Sequence, residues 1–319
     1  MKLELAAGAA TGIGSLPGTD IREAVTSTFG ELPDFPYLPE LPARGPGADM
    51  IGRAAAMLVD IPVELYAGRW QVARRGGADL RRGRDLLERD LDALAAAGDG
   101  FAGPLKIQAA GPWTLSVGLG LLKDHGFVRE LSQSLTEGLA AHVDEVRRRV
   151  PGAQVVLQID EPSVPAVLAG RVPTESGLHT YRAVDVAVVR SHLSSIVDRA
   201  GTPVIIHCCA SDAPVALFLE AGAAGIALDI SLAQLDSIGT AIDGGTALFA
   251  GVSGRADGKD SNAIAGRLRR LWADLSFPPE MLAARVVVTP ACGLAGYSSA
   301  QAAAILKACR EAATRLTEF

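Results

Sequence analysis

The chain is 319 residues long, 49% hydrophobic and 21% charged, enough apolar material for one large core and with no stretch of disordered composition. Its formal net charge of −6 argues against a nucleic-acid partner, because phosphate binding needs a concentrated positive field. No run of about 18 apolar residues occurs and the first residues lack the apolar core of a secretory signal, so a cytoplasmic protein without a membrane span is expected.

In chain order, short β-rich runs alternate with amphipathic helical stretches. Strands are predicted at 12–16, 62–66, 105–109, 155–159, 204–207, 225–228, 247–251 and 286–289. The clearest helices are predicted at 79–97, 127–149, 181–199, 262–275 and 298–317, where apolar residues recur every three or four positions. Residues 32–47, LPDFPYLPELPARGPG, hold too much proline and glycine for a helix or a central strand and read as a long extended loop. Val204, Ile205 and Ile206, like Val286, Val287 and Val288, are continuous apolar runs, as strands covered on both faces require. Eight strands alternating with helices predict an α/β fold, a (β/α)8 TIM barrel, and residues 1–319 are expected to form it as a single domain, since such barrels take about 250 residues plus insertions. Residues 32–47 would then lie at the C-terminal face of the barrel, as a lid or a substrate wall.

Polar residues stand at the C-terminal ends of several predicted strands. His207 and Cys209 follow VII, Asp229 follows GIAL and Cys292 follows VVVTPA. Barrel strands converge at that end, so residues distant in sequence meet there. A histidine nitrogen and two thiolates suit zinc, with a carboxylate or water completing a tetrahedron. The two-residue spacing of His207 and Cys209 puts both on one side of an extended backbone, while Cys208 points away. Taken singly, each cysteine reads equally as a small buried hydrophobe, and Cys309, among apolar neighbours on the last helix, is expected to be core. Four cysteines in a chain of this size do not form a disulfide framework.

Five motifs occur in order: GIGSLPGTDIR at 12–22, QIDEP at 158–162, HCC at 207–209, LDIS at 228–231 and TPACGL at 289–294. Together they resemble the catalytic barrel of cobalamin-independent methionine synthases, in a short single-barrel form. The resemblance implies a zinc-dependent methyltransferase that methylates the thiol of homocysteine to give methionine, with methyltetrahydrofolate or a methylcorrinoid, free or on a carrier protein, as donor. It implies His207, Cys209, Asp229 and Cys292 as metal ligands. Ile13, Gly14 and Ser15 are implied to hold the amino-acid part of the substrate, and Asp160, beside Glu161, its ammonium group. Zinc coordination favours the thiolate form of the substrate sulfur, the nucleophile for methyl transfer. Trp113, just after the third predicted strand, has a ring suited to stacking on a flat donor.

The pattern departs from the family at three places. Asp229 stands where glutamate is usual. Residues 251–258, GVSGRADG, contain no histidine where the longer family members carry one, and Arg255, Asp257 and Lys259 are the nearest polar residues. The family's glutamate after the first strand has Glu40 and Asp49 as its candidates here. Two further readings fit the same residues: a zinc methyltransferase acting on another thiol, and a non-catalytic zinc-binding barrel that partners a methyl-carrier protein.

Overall fold

The computed structural model describes residues 1, 3–252 and 259–318. In chain order it contains α1 (Ile21–Glu31), α2 (Met50–Ala56), β1 (Val63–Tyr66), β2 (Arg69–Val72), α3 (Ala78–Ala97), β3 (Gly103–Ala110), α4 (Pro112–Gly118), α5 (His125–Arg149), β4 (Ala153–Asp160), α6 (Val164–Leu168), α7 (Val186–Arg199), β5 (Val204–Cys208), α8 (Val215–Glu220), β6 (Gly225–Asp229), α9 (Leu235–Asp243), β7 (Ala247–Val252), α10 (Ser261–Asp274), α11 (Leu282–Arg285), β8 (Val286–Pro290) and α12 (Ser299–Leu316). Strands β3 to β8 pair in sequence order into one curled parallel sheet, with helices between successive strands. Among the described residues no helix is long and apolar enough to cross a membrane.

The last six predicted strands form as expected, and the first two do not. Residues 62–66 do extend as β1, but β1 pairs antiparallel with β2 in a separate hairpin. Its two-residue loop, Ala67 and Gly68, has both φ angles positive, at 49° and 78°, as a turn matched to strand twist requires. An Ala-Gly pair is a weak hairpin signal beside Asn-Gly, so the pattern of residues 62–66 alone misleads.

Residues 12–16 build no ladder either. Instead the sheet edges are linked by isolated parallel bridges: Ala10 to Val288 of β8, Ser15 to Glu40, and Tyr37 to Lys106 of β3. Residues 32–47 thus supply, at Tyr37 and Glu40, the contact expected of residues 62–66. Proline cannot donate to a ladder, which is why Pro36 and Pro39 leave bridges rather than a continuous strand. This stretch is largely buried at Phe35, Tyr37, Leu38, Glu40 and Leu41, so it is part of the molecule's wall.

The helices obey their caps. Asp20, Asp124 and Asp260 accept backbone N–H bonds at the starts of α1, α5 and α10, and Ser298 with Gln301 forms a capping box on α12. Helix α7 starts five residues later than the periodicity of 181–199 suggests, because Asp185 caps it at Val186.

Two apolar layers lie between sheet and helices, and a third, smaller cluster is made of Ala9, Phe35, Val156, Ile205, Ala227, Phe249 and Val287. Its strand members are side by side in the register, Ala227 with Phe249 and Phe249 with Val287, and face the concave side. Strand alternation then puts residues two and four positions further along each strand on the same side, nearer the C-terminal end. That rule selects Gln158 and Asp160, His207 and Cys209, Asp229 and Thr289.

Candidate active site

The register brings these side chains level with one another. Gln108 pairs with Gln158, and Asp160 with His207. His207 is buried, and its Nδ1 lies 3.2 Å from the carbonyl oxygen of Ala227. A proton on Nδ1 donated to that carbonyl leaves the Nε2 lone pair free to bind a metal. Cys209, one residue past β5, is half-buried, and Cys292 lies exposed in the turn after β8.

These two thiols are hydrogen-bonded to each other. The bond to Cys209, then that to His207, holds Cys292 well below the usual thiol range. The same bond, then burial, pushes Cys209 up. Cys208 faces the other way into the outer apolar layer, where burial drives its thiol up to about 12. Cys309 is fully buried in α12, where burial also raises it to about 12.

Asp229 is placed differently. Its Oδ1 accepts from the N–H and hydroxyl of Ser231 at 2.9 and 2.6 Å, within its own turn. Among the described residues no group of three or more His, Cys, Asp or Glu is gathered tightly enough to hold a metal. His207 and Cys209 each adjoin Cys292, yet the three donors do not converge on one point. One imidazole and two adjoining thiols are still the donor types that zinc prefers. In donor chemistry the residues fit the ion; in this arrangement the carboxylate of Asp229 stands apart.

Beside the thiols lies a polar floor. Asp160 is buried and accepts from Gln158 Nε2 at 2.7 Å; burial raises its carboxyl, opposed by His207 and then Lys106. The carbonyl of Ile13 accepts from Lys106 Nζ at 2.8 Å and from Gln158 Nε2 at 2.9 Å. Gly14 runs so close to Gln108 that an added Cβ would lie 3.0 Å from its Cγ. The backbone oxygen of Ser15 accepts from Leu294 N–H at 2.7 Å, and a Cβ on Gly293 would collide with the Ser15 hydroxyl. The Ile13–Ser15 stretch therefore abuts the turn that carries Cys292.

Glu161 and Trp113 serve neighbouring structure. The Glu161 carboxylate is fully buried and accepts from Trp113 N–H, Thr114 N–H and the Thr114 hydroxyl at 3.0, 2.8 and 2.7 Å, capping α4. Burial pushes it up to about 7 against those bonds. The Trp113 ring is buried and stacked on His192, 5.0 Å between centroids and 10° from parallel.

Several site residues escaped the sequence reading. Lys106 is fully buried, with its ammonium 5.1 Å above the Tyr37 ring, and burial lowers it to about 7. Gln108 donates to the Leu38 carbonyl at 2.7 Å and to Glu40 Oε1 at 3.3 Å. A signal was present: Lys106 and Gln108 are polar residues two apart in an otherwise apolar central strand. Of the two loop carboxylates, Glu40 joins this floor, whereas Asp49 caps α2 and accepts from Trp70 Nε1. Arg255 and Asp257 lie outside the described residues.

The family described as "Cobalamin-independent synthase, Catalytic domain" matches residues 115–315, more than half of the chain. No curated protein sequence matches. Among solved structures, a B12-independent methionine synthase from Shewanella sp. W3-18-1, in complex with selenomethionine, aligns with a TM-score of 0.63 at 12% identity, over 97% of this chain and 98% of that one. That is a likeness of fold. A morphinone reductase mutant in complex with tetrahydroNAD aligns at a TM-score of only 0.42 and 11% identity, over 91% and 81% of the two chains.

Proposed function

Because the chain belongs to the family of cobalamin-independent synthase catalytic domains, we propose that it methylates the thiol of homocysteine to give methionine. The observation that supports this reading is that His207 and Cys209, at the end of β5, each adjoin Cys292, in the turn after β8. Those three residues would hold zinc, with Asp229 or the incoming thiol in the remaining position. Bound there, zinc supplies Lewis acidity that favours the thiolate form of a substrate thiol at neutral pH.

The chain's own residues do the rest. His207 keeps its proton on Nδ1 against Ala227, which fixes the ring's orientation. Backbone groups of Ile13, Gly14 and Ser15 bind the substrate carboxylate, and their position beside the Cys292 turn brings an amino acid's sulfur within reach of the thiol pair. Asp160 and Glu40 take the ammonium group. Glu161 and Trp113 brace the wall behind them through α4. The donor is methyltetrahydrofolate or a methylcorrinoid. Residues 1–319 act as one (β/α)8 barrel domain in which the two bridged stretches, 9–16 and 37–41, complete the ring, and a reducing cytoplasm keeps the thiols free.

The test is a zinc assay combined with methionine formation from homocysteine and each donor. Bound zinc at one per chain and turnover with at least one donor are expected, both lost in Cys292→Ser. A zinc-free protein, or no turnover with either donor, overturns the reading.

A further inference from the structure

Behind the floor of the site, between α2, α3 and residues 32–47, a buried arginine, Arg53, and a partly buried one, Arg44, share one carboxylate. Arg44 grips Asp90 with both guanidinium nitrogens, at 2.6 and 2.9 Å, and Arg53 Nη1 contacts Asp90 as well. Arg53 and Asp90 are fully buried. Two guanidinium groups against one carboxylate leave a surplus positive charge out of water, which is costly unless another anion compensates it. The nearest is Glu40: Arg53 Nε lies 3.7 Å from Glu40 Oε1, beyond hydrogen-bond reach, and is a buried donor with no hydrogen-bond partner among the described residues.

Glu40 is thus placed between two surroundings. From α2 it faces Arg53; from β3, Lys106 and Gln108; from β4, Asp160. Burial pushes its carboxyl up to about 7 and Asp160 adds to this, while Arg53 is the largest opposing influence, ahead of Gln108 and Lys106. Arg53 is in turn faced by Asp90 from α3 and by the buried His142 from α5, which its charge helps keep neutral.

We propose that Arg53 is a positioning residue for substrate binding: lying 3.7 Å from Glu40, its charge draws that side chain into place and favours its carboxylate form, which anchors the ammonium group of an amino-acid substrate. Arg53 never touches the substrate and acts only through Glu40. The proposal rests on the amino-acid reading of the site given above. It also explains why the arginine pair is unequal, since Arg44 neutralises Asp90 and frees Arg53 to serve Glu40.

The experiment is direct binding of L-methionine and of the same acid without its amino group, by calorimetry on the full chain, so no methyl donor is needed. In Arg53→Met, Asp90 keeps the Arg44 fork, so no buried carboxylate is orphaned. Methionine is expected to bind about tenfold or more weakly, and the deamino acid within about twofold of the native affinity. The loss should be larger near about pH 6.5 than near about pH 8.5, because without Arg53 the Glu40 carboxyl holds its proton to higher pH. Glu40→Gln should reproduce the selectivity, and the double variant should lose nothing further.

If Arg53→Met weakens both ligands equally or neither, while Glu40→Gln is selective for methionine, the role of Arg53 is overturned and the amino-acid site stands. An unchanged methionine affinity in Glu40→Gln overturns the ammonium anchor itself. Should Arg53→Met fail to fold, Arg53→Lys keeps the charge: methionine affinity within about threefold supports the proposal, and an equal loss of about tenfold for both ligands overturns it.

Discussion

Glu161 shows how a buried carboxylate can be structural beside a site of the same chemistry. It accepts three bonds from the start of α4, and replacing it by glutamine turns one acceptor into a donor facing N–H groups. Glu161→Gln is therefore expected to lower stability by roughly 1–3 kcal/mol in urea unfolding. Its pH signature has a definite sign. The folded-state value of about 7 lies above the ordinary 4.5, so between those values the native protein holds a proton that the unfolded chain has released. Stability from this group is present below about pH 4.5 and is lost as pH rises toward about 7. The fall in unfolding free energy across that window should be shallower in Glu161→Gln; an unchanged slope would refute the assignment. In the sequence, Glu161 and Asp160 are adjacent acids in one turn and read alike. Only the strand register separates them, sending Asp160 to the interior and Glu161 toward α4.

At the scale of elements, the β1–β2 hairpin is the instructive case. Ala67 sits at φ 49°, a left-handed conformation unfavourable for alanine, followed by Gly68 at 78°. Ala67→Asn supplies the Asn-Gly pair this turn prefers and is expected to stabilise the protein by roughly 0.5–1 kcal/mol, read as a higher melting temperature. Strands β3 to β8 were legible because each is a short apolar run bounded by turns and covered on both faces. The hairpin was not, since four residues of half-buried strand carry no mark of parallel or antiparallel pairing. Residues 32–47 hid their role for the opposite reason. Their prolines forbid a ladder, so a stretch that places Tyr37 and Glu40 against the sheet reads in sequence as an extended loop at the mouth, with no sign that it bridges to the sheet.

For the molecule as a whole, the order of elements and the concave polar face followed from alternation and strand count. That Cys292 would lie near His207 and Cys209 was also legible, because all three stand at strand ends. Glu40 was one of two candidates for a substrate-holding acid, but the depth behind it could not be read: Lys106, Arg53 and Asp90 come from separate elements and meet only after folding. The apolar cluster of Val156, Ile205, Phe249 and Val287 lies on the N-terminal side of the thiols and owes nothing to them. With zinc bound as proposed, a chelator should accordingly leave far-ultraviolet circular dichroism unchanged while lowering the melting temperature, and added zinc should raise it in a concentration-dependent way. Loss of secondary structure on chelation would contradict this.

The bridges at Ala10, Ser15 and Tyr37 carry a consequence for motion. Where β4 to β8 are stitched by full ladders, these stretches are held by single bridges, reinforced at Ile13 by Lys106 and Gln158. A lightly laced seam thus runs along the wall that would cradle a substrate's carboxylate. Amide hydrogens of residues 9–16 and 37–41 should exchange with deuterium well before those of the central ladder, and a bound amino acid should slow them selectively. A ligand gripped there would tie the two bridged stretches to the curled sheet as it binds, so that occupancy and mechanical integrity of that wall rise together.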